Sequence, residues 1–337
     1  MIGRANDGVR VSITGIGCSV PERVLTNHEL ATMVDTSDEW IVERTGIRER
    51  RIVAPEEALS DLAIPAARDA LAQAGVDGSS IDLIIVATVT PDMAFPTTSA
   101  LLADAIGAPD AGAYDLSAGC TGFMYALAQA YGMMASGLSR RALVVGGDVL
   151  SRIINWNDRA TCILFGDGAG AVVLDRVDSG GFQGFELGAD GAGGMHLTLP
   201  AGGSRSPATA ETVAMEKHFV QMDGREVFKF ATRVLVSSAE KLLAECDVGV
   251  DDVDVYVPHQ ANIRIMDYAA RKLGIPTERM LVNVDRYGNT SSGSIPLALA
   301  DAAAEGRLRP GSHVLMTGMG AGLTWGSALI EWTEDSQ

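Results

Sequence analysis

The chain is written twice, and this duplication limits its fold more than any other feature. Residues 70–87 read as helix, short acidic turn, then an apolar strand opening with Ile81-Asp82; residues 242–259 read the same way, opening with Val253-Asp254. Residues 113–123 give a strand, a glycine turn and a helix start, and residues 281–294 repeat that order. The following helices end at Gly137 and Gly306, and each leads into a strand, ALVVGG and HVLMTGMG. Both halves close with Gly/Ala-rich hairpins, from Gly166 and from Gly320. Three successive units in one order are more than chance supplies. Strands alternating with helices imply mainly parallel sheets with helices against them. The expected fold class is therefore α/β with two similar halves, 1–178 and 179–337. The boundary is expected in the Gly-, Ser- and Pro-rich stretch 178–220.

Local signals agree with this plan. Val9, Val11 and Ile13 alternate with polar residues as in a strand. Ser37 is placed to cap a helix through Trp40 and Arg44, and Ser60 to cap another through Leu71, ending near Gly75. Residues 81–88 form a nearly continuous apolar run, as in a strand buried on both faces.

The duplication has a chemical consequence. Cys120 and Asn289 fall at matching places, each in a glycine turn that opens a helix. If the halves pack about a pseudo-twofold axis, both side chains face one central crevice, where ligand sites of such sheets lie. Cys120 sits in Ala118-Gly119-Cys120-Thr121-Gly122, with a strand entering and a helix leaving. A helix N-terminus favours the thiolate, the reactive form. Flanking glycines let a carbonyl approach the Cys120 amide. Free cysteines are more often buried and structural, and that reading suits Cys18, Cys162 and Cys246. His259 ends the strand VYVP, at the edge of the same crevice and in the half opposite Cys120. The plain reading of Asn289 is a helix cap; the duplication points it at Cys120. His28, His196, His218 and His313 keep structural readings. The Gly-rich stretches 166–170 and 318–322 lead into strands, not helices, so they do not cradle phosphate. We read them as tight turns lining the site.

Composition narrows the function classes. A formal net charge of −17 over 337 residues disfavours nonspecific binding to nucleic acid or anionic membrane. Four cysteines without a CxxC pair suggest neither zinc nor a disulfide framework. No apolar signal core opens the sequence and no segment is long enough to span a bilayer, so a cytoplasmic setting is expected.

Five motifs in order resemble the β-ketoacyl-acyl-carrier-protein synthase III family over nearly the whole chain. They are DTSDEWIVERTGIRER at 35–50, AGCTGF around Cys120, FGDGAGA at 165–171, VPHQANIR at 257–264 and YGNTSSGS at 287–294. The resemblance implies a five-layered αβαβα thiolase-like fold, a homodimer and a Cys120–His259–Asn289 triad. Amides of Cys120 and Ala321 would form the oxyanion hole, Ala321 standing where the family more often has glycine. Coenzyme A would meet Thr36, Trp40, Arg44, Arg159 and Asn262. Acyl carrier protein would meet Gln260, Ala261, Asn262, Ile263 and Arg264. Phe95, Leu150, Phe165 and Met319 would wall the acyl pocket, Phe95 from across the dimer. Met319 replaces a more usual phenylalanine. The implied reaction is decarboxylative condensation of an acyl-CoA with malonyl-acyl-carrier-protein, with no metal or redox cofactor. The alternatives are a polyketide-priming ketosynthase or acyltransferase of specialised metabolism, and a catalytically silent scaffold subunit, which the retained triad disfavours. A thiolase would need a second late cysteine, and GMGAGLTWG has none.

Overall fold

The computed structural model describes residues 1–5 and 8–333. The chain opens with strands β1 (Ile2–Arg4) and β2 (Val11–Ser19), then helices α1 (Asp38–Thr45) and α2 (Leu59–Ala74). Strand β3 (Leu83–Ala87), helix α3 (Thr98–Ile106) and strand β4 (Gly112–Leu116) lead to helix α4 (Gly122–Ala135). Strands β5 (Ala142–Val149), β6 (Asp167–Arg176) and β7 (Gly181–Ala189) precede the long helix α5 (Gly224–Cys246). Strand β8 (Val253–Pro258), helices α6 (Ile263–Leu273) and α7 (Ser294–Ala304), and strands β9 (His313–Gly320) and β10 (Thr324–Glu331) complete the chain.

Two five-stranded sheets result, ordered β2-β6-β5-β3-β4 and β1-β7-β10-β9-β8. Without β1 and β4, the orders correspond strand for strand. β3 runs parallel to β4 and β5, and β8 runs parallel to β9. The last hairpin of each half is antiparallel, β5 with β6 and β9 with β10.

Side-chain alternation builds the layers. Leu83, Ile85 and Ala87 face inward, where they pack with Phe123 and Leu127 of α4 and with Ile295 and Leu299 of α7. Val255 and Val257 of β8 reach the same core from the second sheet. Ile84 and Val86 face outward onto Ala63, Ala66 and Ala67 of α2. Leu242 of α5 and Met266 and Ala270 of α6 cover the outer face of the second sheet beside Tyr256 and Leu315. The order is helix, sheet, helix, sheet, helix, the five layers that the resemblance implies. Among the described residues no helix is long and apolar enough to cross a membrane.

Four local expectations need correction. Ser37 caps α1 by accepting from the Trp40 amide, but Ser60 does not cap α2. The cap is Ala58, whose amide donates to Asp61, while the Ser60 hydroxyl donates to Asp92 at 2.6 Å. The glycines at 166–170 and 318–320 lie mostly within β6 and β9 rather than in turns. They are small because neighbouring backbone crosses them: a Cβ on Gly320 would stand 2.5 Å from the Cys120 nitrogen. The spacing of Asp223 and Glu226 predicts a capping box at the start of α5, and only half of it forms: Asp223 accepts from the Glu226 amide. The Glu226 carboxylate turns to Lys229, and the Asp223 amide donates to the His196 carbonyl. Residues 281–283 do not form the strand that the repeat predicts. One bridge, Tyr256 with Met280, stands in its place. The Gln260 side chain intervenes there, donating to the Pro258 and Leu281 carbonyls and accepting from the Asn283 and Val284 amides.

Candidate active site

Three turns converge on one cavity of about 180 Å³, whose lining includes Cys120, His259 and Asn289. Cys120 lies between β4 and α4, just before the helix cap Thr121. Gly119 takes φ 59°, and a Cβ there would stand 2.7 Å from the Ala321 nitrogen. The turn of the first half is thus pressed onto the end of β9, Gly119 against Ala321 and Cys120 against Gly320.

The ionisation of Cys120 differs from the sequence expectation. Burial pushes its thiol up to about 11; a Ser291 hydrogen bond opposes the rise and the Asp148 charge adds to it. A helix N-terminus does not overcome that desolvation. The thiol is therefore protonated at neutral pH, and its reaction needs a proton acceptor.

His259 follows β8, its amide donating to the Thr317 carbonyl at 2.8 Å. Its ring is buried, and neither ring nitrogen has a hydrogen-bond partner. Burial pushes it down to about 4, so the imidazole is neutral at pH 7. Two free nitrogens suit it to exchange a proton with a bound group. In the unfolded chain the ordinary value of 6.5 returns. On acidification the unfolded state then takes up a proton that the folded state refuses. The stability tied to neutral His259 is complete above about pH 6.5 and is lost as pH falls through about 4. At about pH 5 the loss is roughly 2 kcal/mol. Urea midpoints of wild type should fall between about pH 7 and about pH 5 by more than those of His259→Gln. Equal falls would refute the buried neutral ring.

Asn289 is held through its backbone, its amide donating to the Leu164 carbonyl at 2.8 Å and its carbonyl accepting from Gly166 at 3.0 Å. Its Oδ1 accepts from the Ser291 amide at 2.9 Å. That contact fixes the amide plane and leaves Nδ2 as the donor toward the cavity.

The other expected residues divide. Arg44 and Arg159 both lie over the Trp40 indole, their guanidinium carbons 5.6 and 5.0 Å from the ring centre. Arg159 also donates to the Asp35 carbonyl at 2.8 Å. Asn262 lines the cavity, caps α6, and donates to the Arg44 carbonyl at 3.0 Å, so the Trp40 cluster is tied to the cavity wall. The Thr36 hydroxyl is buried without a partner. Phe165 and Met319 line the cavity. Leu150 does not; it packs into the neighbouring core with Phe165 and Ile154. Phe95 is 84% exposed and stands away from the cavity of its own chain.

Of the carrier-protein segment, Arg264 is exposed while Asn262 and Ile263 are half-buried. Gln260 has no exposed surface and Ala261 is buried in the cavity wall, so neither forms an outer docking face. Arg264, Arg271 and Lys272 share the exposed side of α6 opposite buried Met266, Ala269, Ala270 and Leu273, as their spacing predicts. Among the described residues, no group of three His, Cys, Asp or Glu side chains is arranged to hold a metal ion.

Sequence reasoning missed two contributors. Val227, Phe228 and Phe230 of α5 and Leu197 and Met222 beside it form an apolar wall. The i, i+3 spacing of Val227 and Phe230 carries the helical part of that signal in the sequence. The second is Asp148, at the carboxyl end of β5 and fully buried.

The family described as 3-oxoacyl-[acyl-carrier-protein] synthase III matches residues 114–191, and its C-terminal counterpart matches residues 243–332. A β-ketoacyl-[acyl-carrier-protein] synthase III from Symbiobacterium thermophilum is 56% identical over 323 residues, 96% of this chain and 98% of that one. The crystal structure of 3-oxoacyl-[acyl-carrier-protein] synthase III from Aquifex aeolicus shares 42% identity and a TM-score of 0.89, covering 96% of this chain and 100% of that one. The priming β-ketosynthase of a polyketide biosynthetic pathway shares 37% identity and a TM-score of 0.89, covering 98% of each chain.

Proposed function

This chain belongs to the β-ketoacyl-[acyl-carrier-protein] synthase III family, and we propose that Cys120, His259 and Asn289 carry out its decarboxylative condensation of an acyl-CoA with malonyl-acyl-carrier-protein. The observation that supports this most is the single cavity shared by a thiol, a neutral imidazole and an oriented carboxamide.

The Cys120 sulfur attacks the thioester carbonyl while its proton passes to His259. Amides of Cys120 and Ala321 hold the oxyanion, and coenzyme A leaves as its thiol with that proton. This divides one hard step into two easier ones. Malonyl-acyl-carrier-protein then binds and loses carbon dioxide. His259 and the Asn289 Nδ2 donate to the enolate oxygen, each donor contributing about 3–4 kcal/mol by analogy with oxyanion-hole donors. The enolate carbon attacks acyl-Cys120, the C–S bond breaks, and the departing thiolate takes up one proton from solvent. The product is a 3-oxoacyl-acyl-carrier-protein.

Coenzyme A enters beside Trp40, Arg44, Arg159 and Thr36, with Asn262 between them and the cavity. Trp40→Ala should raise the KM for acyl-CoA about tenfold and leave that for the carrier-bound substrate within about twofold. Equal effects on both substrates would remove the assignment. The carrier protein docks on the exposed basic side of α6. Arg264→Glu should raise the KM for the carrier substrate about tenfold at low salt, the difference shrinking as salt rises. An unchanged KM at low salt would exclude that face. The protein acts in the cytoplasm as a homodimer, with Phe95 reaching the partner's acyl pocket.

The likeness to a polyketide-priming β-ketosynthase, together with Met319 in the cavity wall, favours a second reading in which the primer is unusual. Intact-mass analysis after exposure to a panel of acyl-CoAs, followed by malonyl-acyl-carrier-protein, tests both. An adduct on Cys120, released carbon dioxide and a 3-oxoacyl carrier product support the condensation; an adduct formed chiefly from an acyl-CoA other than acetyl-CoA favours the second reading. No adduct from any acyl-CoA would overturn both.

A further inference from the structure

We propose that Asp148 is a positioning residue for the condensation step: its carboxylate clamps the Asn289 turn of one half onto the Thr88–Thr90 loop of the other. The proposal rests on the roles assigned above to Cys120 and Asn289. Asp148 has no exposed surface. Its Oδ1 accepts from the Thr88 hydroxyl at 2.9 Å, the Val89 amide at 2.8 Å, and the Thr90 amide and hydroxyl at 3.1 and 2.8 Å. Its Oδ2 accepts from the Ser292 amide at 3.3 Å and the Ser292 hydroxyl at 2.9 Å. The Ser292 hydroxyl also reaches the Ala87 carbonyl at 2.7 Å.

Every contacting group is a hydrogen-bond donor, the Ser292 hydroxyl sharing its one proton between Asp148 and the Ala87 carbonyl, and no basic side chain is among them. A carboxylate has two acceptor oxygens for such a set; an amide side chain has one. A buried charge without a cation is costly unless hydrogen bonds satisfy it, so the full set is what makes it tolerable. Gly146 lets the turn press close, since a Cβ there would stand 2.3 Å from the Ser292 carbonyl oxygen.

The clamp acts three residues from Asn289 and one from its internal partner. The Ser291 amide that orients Asn289 precedes Ser292 directly. Ser291 holds φ 54°, where residues other than glycine are disfavoured, so the turn needs outside restraint to stay in this shape. Asp148 itself is absent from the cavity lining. It thus reaches the chemistry through Asn289 and through its charge, which raises the Cys120 thiol. The ionisable groups facing Cys120 are then His259, sharing the cavity, and Asp148 at the end of β5.

The test compares the full chain carrying Asp148→Asn or Ser292→Ala with wild type. In Asp148→Asn, the condensation kcat should fall about 100-fold, while acylation of Cys120 and the KM for acyl-CoA stay within about threefold. The midpoint of iodoacetamide labelling of Cys120 should move to lower pH, since a neighbouring negative charge is gone. Ser292→Ala keeps the carboxylate; condensation should fall about tenfold with the labelling midpoint unmoved. Equal losses of acylation and condensation in a folded Asp148→Asn protein would overturn the proposal, as would an unmoved midpoint. If Asp148→Asn does not fold, Ser292→Ala decides, and condensation within about twofold of wild type sinks the clamp. Acylation of Cys120→Ala would instead show that the reading of the site itself had failed.

Discussion

Cys120→Ala should take up no acyl group from acyl-CoA and form no condensation product. The loss should be on the order of 10⁴-fold or more, because removing a nucleophile removes the covalent intermediate itself rather than one donor to it. The substitution is small and sits beside open cavity, so folding should survive. Three other cysteines make the experiment discriminating. Cys18 is exposed at the end of β2, Cys162 is buried, and Cys246 is half-buried near Arg4. Burial raises the Cys162 and Cys246 thiols to about 11. Their ionisation therefore resembles that of Cys120. What distinguishes Cys120 is position: it shares a cavity with His259 and Asn289, and its amide lies beside Gly320. Intact mass with peptide mapping follows the adduct. Acyl groups on Cys120→Ala at the wild-type rate would mean that reactivity came from another thiol, and the assignment would be lost.

Much of this arrangement was legible because it is local. A strand buried on both faces is written as an apolar run, so 81–87 and 253–258 declare themselves. A nucleophile between a strand and a helix is flanked by glycines, so Cys120 stands out. Their convergence was legible only through the duplication, which places Cys120 and Asn289 at equivalent turns. The remainder depends on contacts that no local pattern encodes. Gln260 looks like a surface residue in VPHQANIR, yet it replaces a strand ladder with its own side chain. Leu150 follows β5 toward the site but turns into the core. The Cys120 thiol rises because the second half closes over it, and a helix-terminus argument made from the first half cannot see that. Asp148 is the next-to-last residue of the strand ALVVGGDV and reads as an ordinary acidic residue, and its donors come from residues 88–90 and 292.

Asn289→Ala and His259→Ala should separate the two half-reactions, and in different ways. Asn289 contributes a single oriented donor to the enolate, so Asn289→Ala should accept an acyl group at nearly the wild-type rate. It should then lose about 10²–10³-fold in condensation, the usual cost of one preorganised donor. His259 has two tasks. It donates to the enolate, and it takes the proton of a thiol that burial holds at about 11. Wild-type acylation should therefore be nearly flat above about pH 5, because the imidazole is already neutral there. In His259→Ala the reaction must wait for the small fraction of thiolate, which grows about tenfold for each unit of pH below the thiol value. Acylation of His259→Ala should be slow at neutral pH and climb steadily with pH, while its condensation stays lost at every pH. Stopped-flow release of coenzyme A follows the first step, and carbon dioxide release the second. A flat pH profile in His259→Ala would mean that Cys120 reacts without the imidazole. Loss of acylation in folded Asn289→Ala would mean that the carboxamide serves the first step as well, and the division of labour between these two side chains would be wrong.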